Sequence, residues 1–147
     1  MLPPNQRQIV EIENVPAKPR RFVFVLLEDF TLLSFAAAMD CLRLANRMSA
    51  KKLYEWRVIG EGGATVSCST GTVFQLDGDL DELHRDDTVV LCGGANVQKA
   101  TTKRLISWLR REARRGLHVG GLCTAAYPLA KAGLLDGKKA TIHWENQ

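Results

Sequence analysis

Cys123 and His143 are the two side chains whose types and settings suit joint chemistry. Cys123 follows Leu117–Leu122, a small-and-apolar run of strand length interrupted only by His118. An Ala-rich stretch comes next, with Pro128 near its start and Gly133 at its end. Together these predict a buried strand, a sharp turn, and a helix from about Thr124 to Ala132. Gly121, Cys123 and Ala125 form a small-x-Cys-x-small pattern, the steric requirement of a nucleophile elbow. A thiol at such a junction faces the positive end of a helix dipole, which favours thiolate. The competing reading is structural, because free cysteines commonly serve as small buried hydrophobes. Further on, Asp136-Gly137 reads as a tight turn into a strand over Lys138–Trp144, with His143 near its end. Two adjacent parallel strands would set Cys123 and His143 on one sheet edge, the minimal arrangement for activating a thiol.

The elements needed to hold such a pair are visible upstream. Arg21–Leu27 is a near-continuous apolar run, as expected of a parallel strand covered on both faces. Glu28-Asp29-Phe30 follows as a loop. Thr31 or Ser34 then caps a helix reaching about Met48, with Phe35, Ala38, Met39 and Leu42 on one face. Tyr54–Gly60 reads as a second strand, and Ala64–Cys68 with Thr72–Gln75 as a small ribbon. Asp77–Leu83 is acidic, and a short helix is one option there. Asp87–Cys92 is another buried strand, closed by Gly93-Gly94. Gln98–Arg115 reads as one basic amphipathic helix, with Ile106, Leu109 and Ala113 turned to the core. The alternation predicts an α/β fold: a doubly wound, mostly parallel sheet of flavodoxin-like order with helices on both faces. Ligands of such sheets bind beyond the carboxyl ends of the strands. Glu28 to Phe30, Gly93-Gly94, Cys123 and His143 all fall at those ends.

Bulk properties narrow the classes. A chain of 147 residues is enough for one domain with a proper core. Residues 1–20, interrupted by Pro3, Pro4, Pro16 and Pro19, read as a disordered lead-in, and residues 21–147 as the domain. No apolar run approaches membrane-spanning length and no signal-type core is visible, so a cytoplasmic protein without membrane contact is expected. Cys41, Cys68, Cys92 and Cys123 are spread without metal-ligand spacing, so reduced thiols, no metal and no cofactor are expected. The net charge of +4 gathers at Lys103, Arg104, Arg110, Arg111, Arg114 and Arg115. A charge this small does not by itself argue for nucleic-acid binding.

Four stretches together resemble the ThiJ/PfpI branch of the class I glutamine amidotransferase-like superfamily. They are Cys92-Gly93-Gly94, Gly121-Leu122-Cys123-Thr124-Ala125, Ala132–Gly137 and Ala140-Thr141-Ile142-His143-Trp144. Phe30–Phe35 and Leu42–Asn46 narrow the resemblance to the N-terminal domain of AraC-type transcriptional regulators of the GlxA kind. The resemblance implies a sensor of a small metabolite that acts as a homodimer. It also implies DNA contact only through a C-terminal helix-turn-helix domain absent from this chain, whose own domain is incomplete at its C-terminus. Within that subgroup the likeness is to regulators of quaternary-amine catabolism, with ligands such as glycine betaine or carnitine. Such a cation wants aromatic faces and a carboxylate, and Glu28, Phe30, Ser34, Phe35, Trp144 and Glu145 are the candidates to line its pocket.

The same resemblance supports an alternative: a Cys-dependent hydrolase, amidase or glyoxalase-like enzyme. Cys123 is then the nucleophile and His143 the base or an orienting group. The Gly93-Gly94 turn and Thr124 form the oxyanion site, with N–H groups of Gly94 and Thr124 as donors. Hydrolytic members carry an acidic residue on the first helix, where this chain has Ser34, and PfpI-type proteases have His after the nucleophile, where it has Thr124. A third reading is a redox-responsive cysteine without a metabolite.

Overall fold

A computed structural model describes residues 16–144; the expected lead-in over residues 1–15, and Glu145, lie outside the described residues. The strand predicted from Arg21 starts one residue earlier, as β1 (Arg20–Leu26). It is followed by α1 (Leu32–Ser49), β2 (Tyr54–Ile59), and the ribbon strands β3 (Thr65–Ser67) and β4 (Val73–Gln75). Then come β5 (Thr88–Cys92), α2 (Val97–Ala100), α3 (Lys103–Arg114), β6 (His118–Leu122) and α4 (Ala126–Lys131). The main sheet has four parallel strands in the order β2-β1-β5-β6, and β3 and β4 pair antiparallel in a second sheet.

Alternate residues of β1 feed two separate cores, as the period of a strand requires. Val23, Val25 and Leu27 pack with Val89, Leu91, Leu105, Trp108, Leu109 and Leu129 on the α3 face. Phe24 and Leu26 pack with Phe30, Phe35, Val66 and Cys92 on the α1 face. Each fully buried side chain of this size contributes about 1.5–3 kcal/mol, which is why the apolar run of β1 organises both layers. The inward face of α1 carries Phe35, Ala38, Met39 and Leu42, as its spacing predicts. Asn46 fastens that helix to β2: its amide donates to the Tyr54 carbonyl and accepts from the Leu53 and Tyr54 N–H groups.

Three expectations give way. The basic helix is not continuous: it breaks at Thr101-Thr102, where the Thr102 hydroxyl caps α3 by accepting from Leu105 N–H at 3.0 Å. Its inward face is Leu105, Trp108, Leu109 and Glu112, shifted from the predicted Ile106, Leu109 and Ala113. The cause is Glu112, a carboxylate with 0% exposure, held by Arg111, by Arg115 and by Leu83 N–H. Much of the supposed basic face is therefore engaged within the protein. Arg104 pairs with Asp79 at 2.9 Å, and Arg110 donates to the carbonyls of Ala132 and Lys131. The acidic stretch Asp77–Leu83 forms no helix. Nor do residues 138–144 form a strand; they run as irregular chain to a single helical turn position at Trp144. A bidentate pair, Arg21 with Asp87 at 2.8 and 2.7 Å, ties β1 to the start of β5.

Candidate functional site

Cys123 follows β6, an edge strand of the main sheet, at the carboxyl end where the segments after β1 and β5 also arrive. Its φ is 58°, in the left-handed region that non-glycine residues rarely occupy. Leu122 ends β6, the turn Cys123–Ala125 closes with Ala125 N–H on the Leu122 carbonyl at 3.0 Å, and α4 begins at Ala126. The helix is thus shorter than the predicted Thr124–Ala132, and Cys123 lies at the strand-to-helix junction as expected. The small residues around Cys123 are explained by contact. A Cβ at Gly121 would come within 2.8 Å of the Ala125 Cβ and 3.1 Å of Leu129.

The Gly93-Gly94 turn has its own reason for glycine. A Cβ on Gly93 would sit 2.5 Å from the Thr124 hydroxyl, and one on Gly94 would overlap the Asp29 carbonyl. Thr124, 2% exposed, donates its hydroxyl to the Gly94 carbonyl at 2.8 Å and so fastens the elbow to the end of β5. Thr31 N–H donates to the Gly93 carbonyl at 2.9 Å, which brings the start of α1 to the same point.

Thr31, one of the two expected caps, spends its side chain elsewhere. It occupies the N-cap position of α1, yet its side chain caps nothing. Its Oγ1 lies 3.4 Å from Cys123 Sγ instead. Ser34, the other expected cap, donates to the Thr31 carbonyl at 3.0 Å. The available signal was the doubled Thr31/Ser34 choice at one helix start, where only one side chain can cap. His143 reaches the elbow through its backbone: its N–H donates to the Cys123 carbonyl at 3.2 Å. The two backbones are therefore adjacent, though through irregular chain and not through the predicted strand. The His143 ring lies 5.7 Å from that of Trp144, which is 71% exposed.

The remaining candidates scatter. Phe30 and Phe35, 0% and 5% exposed, meet edge to face with centroids 5.5 Å apart, and Phe35 meets Phe24 in the same way. Neither presents an open ring face, because a core position saturates both with other aromatic rings. Glu28 accepts from Ser67 N–H at 3.3 Å, turned to the ribbon. Asp29 has φ 61° and accepts from the Asn96 amide at 2.6 Å. Two other thiols lie in settings of their own. Burial pushes Cys92 up to about 12, and the Thr70 hydroxyl, 3.0 Å away, lowers Cys68 from its ordinary value.

Comparison with known proteins follows the same outline. Over 127 residues the chain is 39% identical to the HTH-type transcriptional regulator GbdR of Pseudomonas aeruginosa, covering 86% of this chain and 35% of that protein. It is 41% identical over 124 residues to the regulator CdhR of the same species, covering 84% and 37%, respectively. With the regulator GlxA of Rhizobium meliloti the identity is 37%, over 86% of this chain and 40% of that protein. The chain thus spans little more than a third of the length of these curated relatives. Among solved structures, an AraC family transcriptional regulator from Pseudomonas putida superimposes with a TM-score of 0.75 at 31% identity, over 88% of this chain and 69% of that one. Residues 20–147 match the DJ-1/PfpI family from end to end of the fold described above, and the chain belongs to that family.

Proposed function

We propose that this chain is the metabolite-sensing part of an AraC-type transcriptional regulator, with DNA read by a separate helix-turn-helix unit. The observation that carries the reading is the 37–41% identity to three such regulators over more than four-fifths of this chain. The corner around Cys123 supports it. The hydroxyl of Thr31 meets the sulfur, and Ser34 turns back onto the Thr31 carbonyl where a hydrolytic relative would carry a carboxylate. A hydroxyl with the ordinary high pKa of an alcohol does not take a thiol proton at neutral pH, so the arrangement favours shaping and sensing over turnover. Cys123, His143, the Gly93-Gly94 turn and Thr124 then serve as walls of a ligand corner. The finer proposal, a quaternary amine as ligand, rests on the likeness to GbdR and CdhR and on Trp144, whose ring is open to a cation.

The test is a promoter-reporter response to glycine betaine and carnitine in a full-length regulator carrying this domain. Cys123→Ser is expected to leave the response within about tenfold, or about 1.4 kcal/mol of coupling. Purified protein that hydrolyses an ester or amide, or converts a glyoxal, and loses that activity with Cys123→Ser would give the function to the enzyme instead.

A further inference from the structure

A cavity opens at the strand ends, and neither Cys123, Thr31, His143 nor Trp144 lines it. It has a volume of about 230 Å³. That is below the usual range of roughly 300–1,000 Å³ for drug-sized ligands, and fits a small metabolite. Its floor is apolar, formed by Leu27, Leu80 and Leu105, each at least nine-tenths buried. Its rim carries Glu28, Asp29 and Glu61 with Asn96, Lys99 and Thr102. Each carboxylate spends one oxygen on the protein. Glu28 Oε1 accepts from Ser67 N–H, Asp29 Oδ2 from Asn96, and Glu61 Oε2 from the Thr102 hydroxyl at 2.6 Å. The second oxygen of each takes no hydrogen bond among the described residues. Lys99 makes no ion pair or hydrogen bond among the described residues, although it borders the same cavity as three carboxylates.

We propose that this cavity binds a small amino-acid zwitterion, its ammonium among Glu28, Asp29 and Glu61 and its carboxylate at Lys99. The lining chooses between kinds of ammonium. A quaternary ammonium has no N–H and is held by aromatic faces, and no aromatic side chain among the described residues lines the cavity. Half-used carboxylates instead offer lone pairs to N–H donors, and charge-assisted bonds of that kind are the strong ones. The apolar floor accepts the methylenes between the two charges. The site is separate from the Cys123 corner and does not depend on the ligand class proposed there.

The experiment is calorimetric titration of the purified protein with glycine, β-alanine and 4-aminobutanoate. Their N-trimethylated counterparts, butylamine and butanoate are titrated in parallel. At least one amino acid is expected to bind saturably with a Kd of about 0.1–1 mM. It should bind about tenfold or more tightly than its trimethylated counterpart, the amine or the acid. Glu61→Gln keeps an acceptor for the Thr102 hydroxyl, and Lys99→Met removes a side chain with no structural partner, so both should fold as the parent does. Each should weaken binding about tenfold. Glu55→Gln, at a carboxylate paired with Lys52 outside the cavity, should leave binding unchanged. Absence of saturable binding below about 20 mM for every amino acid overturns the site. So does binding that Glu61→Gln and Lys99→Met leave intact. Equal affinity for the trimethylated probes overturns the N–H preference. None of these failures touches the betaine response of the full-length regulator, which is read by transcription.

Discussion

Thr124→Val tests whether the elbow is held by one buried hydrogen bond. The substitution is nearly isosteric and keeps the β-branch, so it opens no cavity. What it removes is the hydroxyl donated to the Gly94 carbonyl at 2.8 Å. Thr124 is 2% exposed and Gly94 is buried, so water does not readily replace the donor. A buried acceptor left unsatisfied costs about 1–3 kcal/mol. In a domain of this size each kcal/mol moves the melting midpoint by roughly 2–4 °C, so a fall of about 4–8 °C is expected for a loss near 2 kcal/mol. Urea unfolding followed by circular dichroism gives the free energy directly, and Thr124→Ser is the control. Serine retains the donor and loses one methyl, so it should cost about 1 kcal/mol and less than valine. If valine proves as stable as threonine, or serine as damaging as valine, the hydrogen bond is not what fastens the elbow to β5.

Other consequences are equally direct. Gly121→Val drives a branched side chain into Ala125 and Leu129 and should cost about 1–3 kcal/mol in the same urea assay, with no loss marking the elbow as adaptable. Glu112→Ala leaves the Leu83 N–H without its acceptor and Arg111 unpaired, whereas Arg115 keeps Glu82 and the Leu83 carbonyl. Because both guanidinium groups reach solvent, the loss should be about 2–3 kcal/mol, below the full cost of breaking a buried pair. Cys92 stays a thiol in the folded protein up to about 12, whereas the unfolded chain releases that proton near 9.0. Stability is therefore unaffected by this group below pH 9 and falls above it by about 1.4 kcal/mol per pH unit. Cys92→Ala should remove that alkaline slope in unfolding curves at pH 8, 9 and 10, and an unchanged slope would contradict the burial. Residues 1–147 alone should give only a weak, salt-sensitive gel shift, because Arg104, Arg110, Arg111 and Arg115 are engaged within the protein; selective binding that survives salt would contradict this.

The sheet was legible because parallel strands buried on both faces read as unbroken apolar runs, as in Phe22–Leu27 and Val89–Cys92. The elbow was legible for a steric reason: Gly121 and Ala125 are small because each presses on the other across the turn. Less visible was α3, where Glu112 takes a core position. A hydrophobic period cannot announce a charge that is buried by its partners, here Arg111, Arg115 and Leu83. Lys138–Trp144 misled in the opposite direction. Its sequence has strand-like composition, but a strand exists only when a neighbour pairs with it, and the backbone contact made here is His143 N–H to the Cys123 carbonyl. Thr31 escaped because its partner is 92 residues away, beyond the reach of any local capping rule.

That separation has a kinetic side. The corner unites the chain near residues 31, 94 and 123, and its links close loops of 92 and 30 residues. The Arg21–Asp87 pair closes another of 66. Parallel pairing offers no hairpin to shorten these searches, and the entropy of closing each loop falls due before the contact returns anything. β1 is flanked by β2 and β5, and β6 joins only through β5. The left-handed turn at Cys123 can therefore be held in place only after β6 has docked. The thiol is consequently a marker of assembly: its native environment requires β6 already in place.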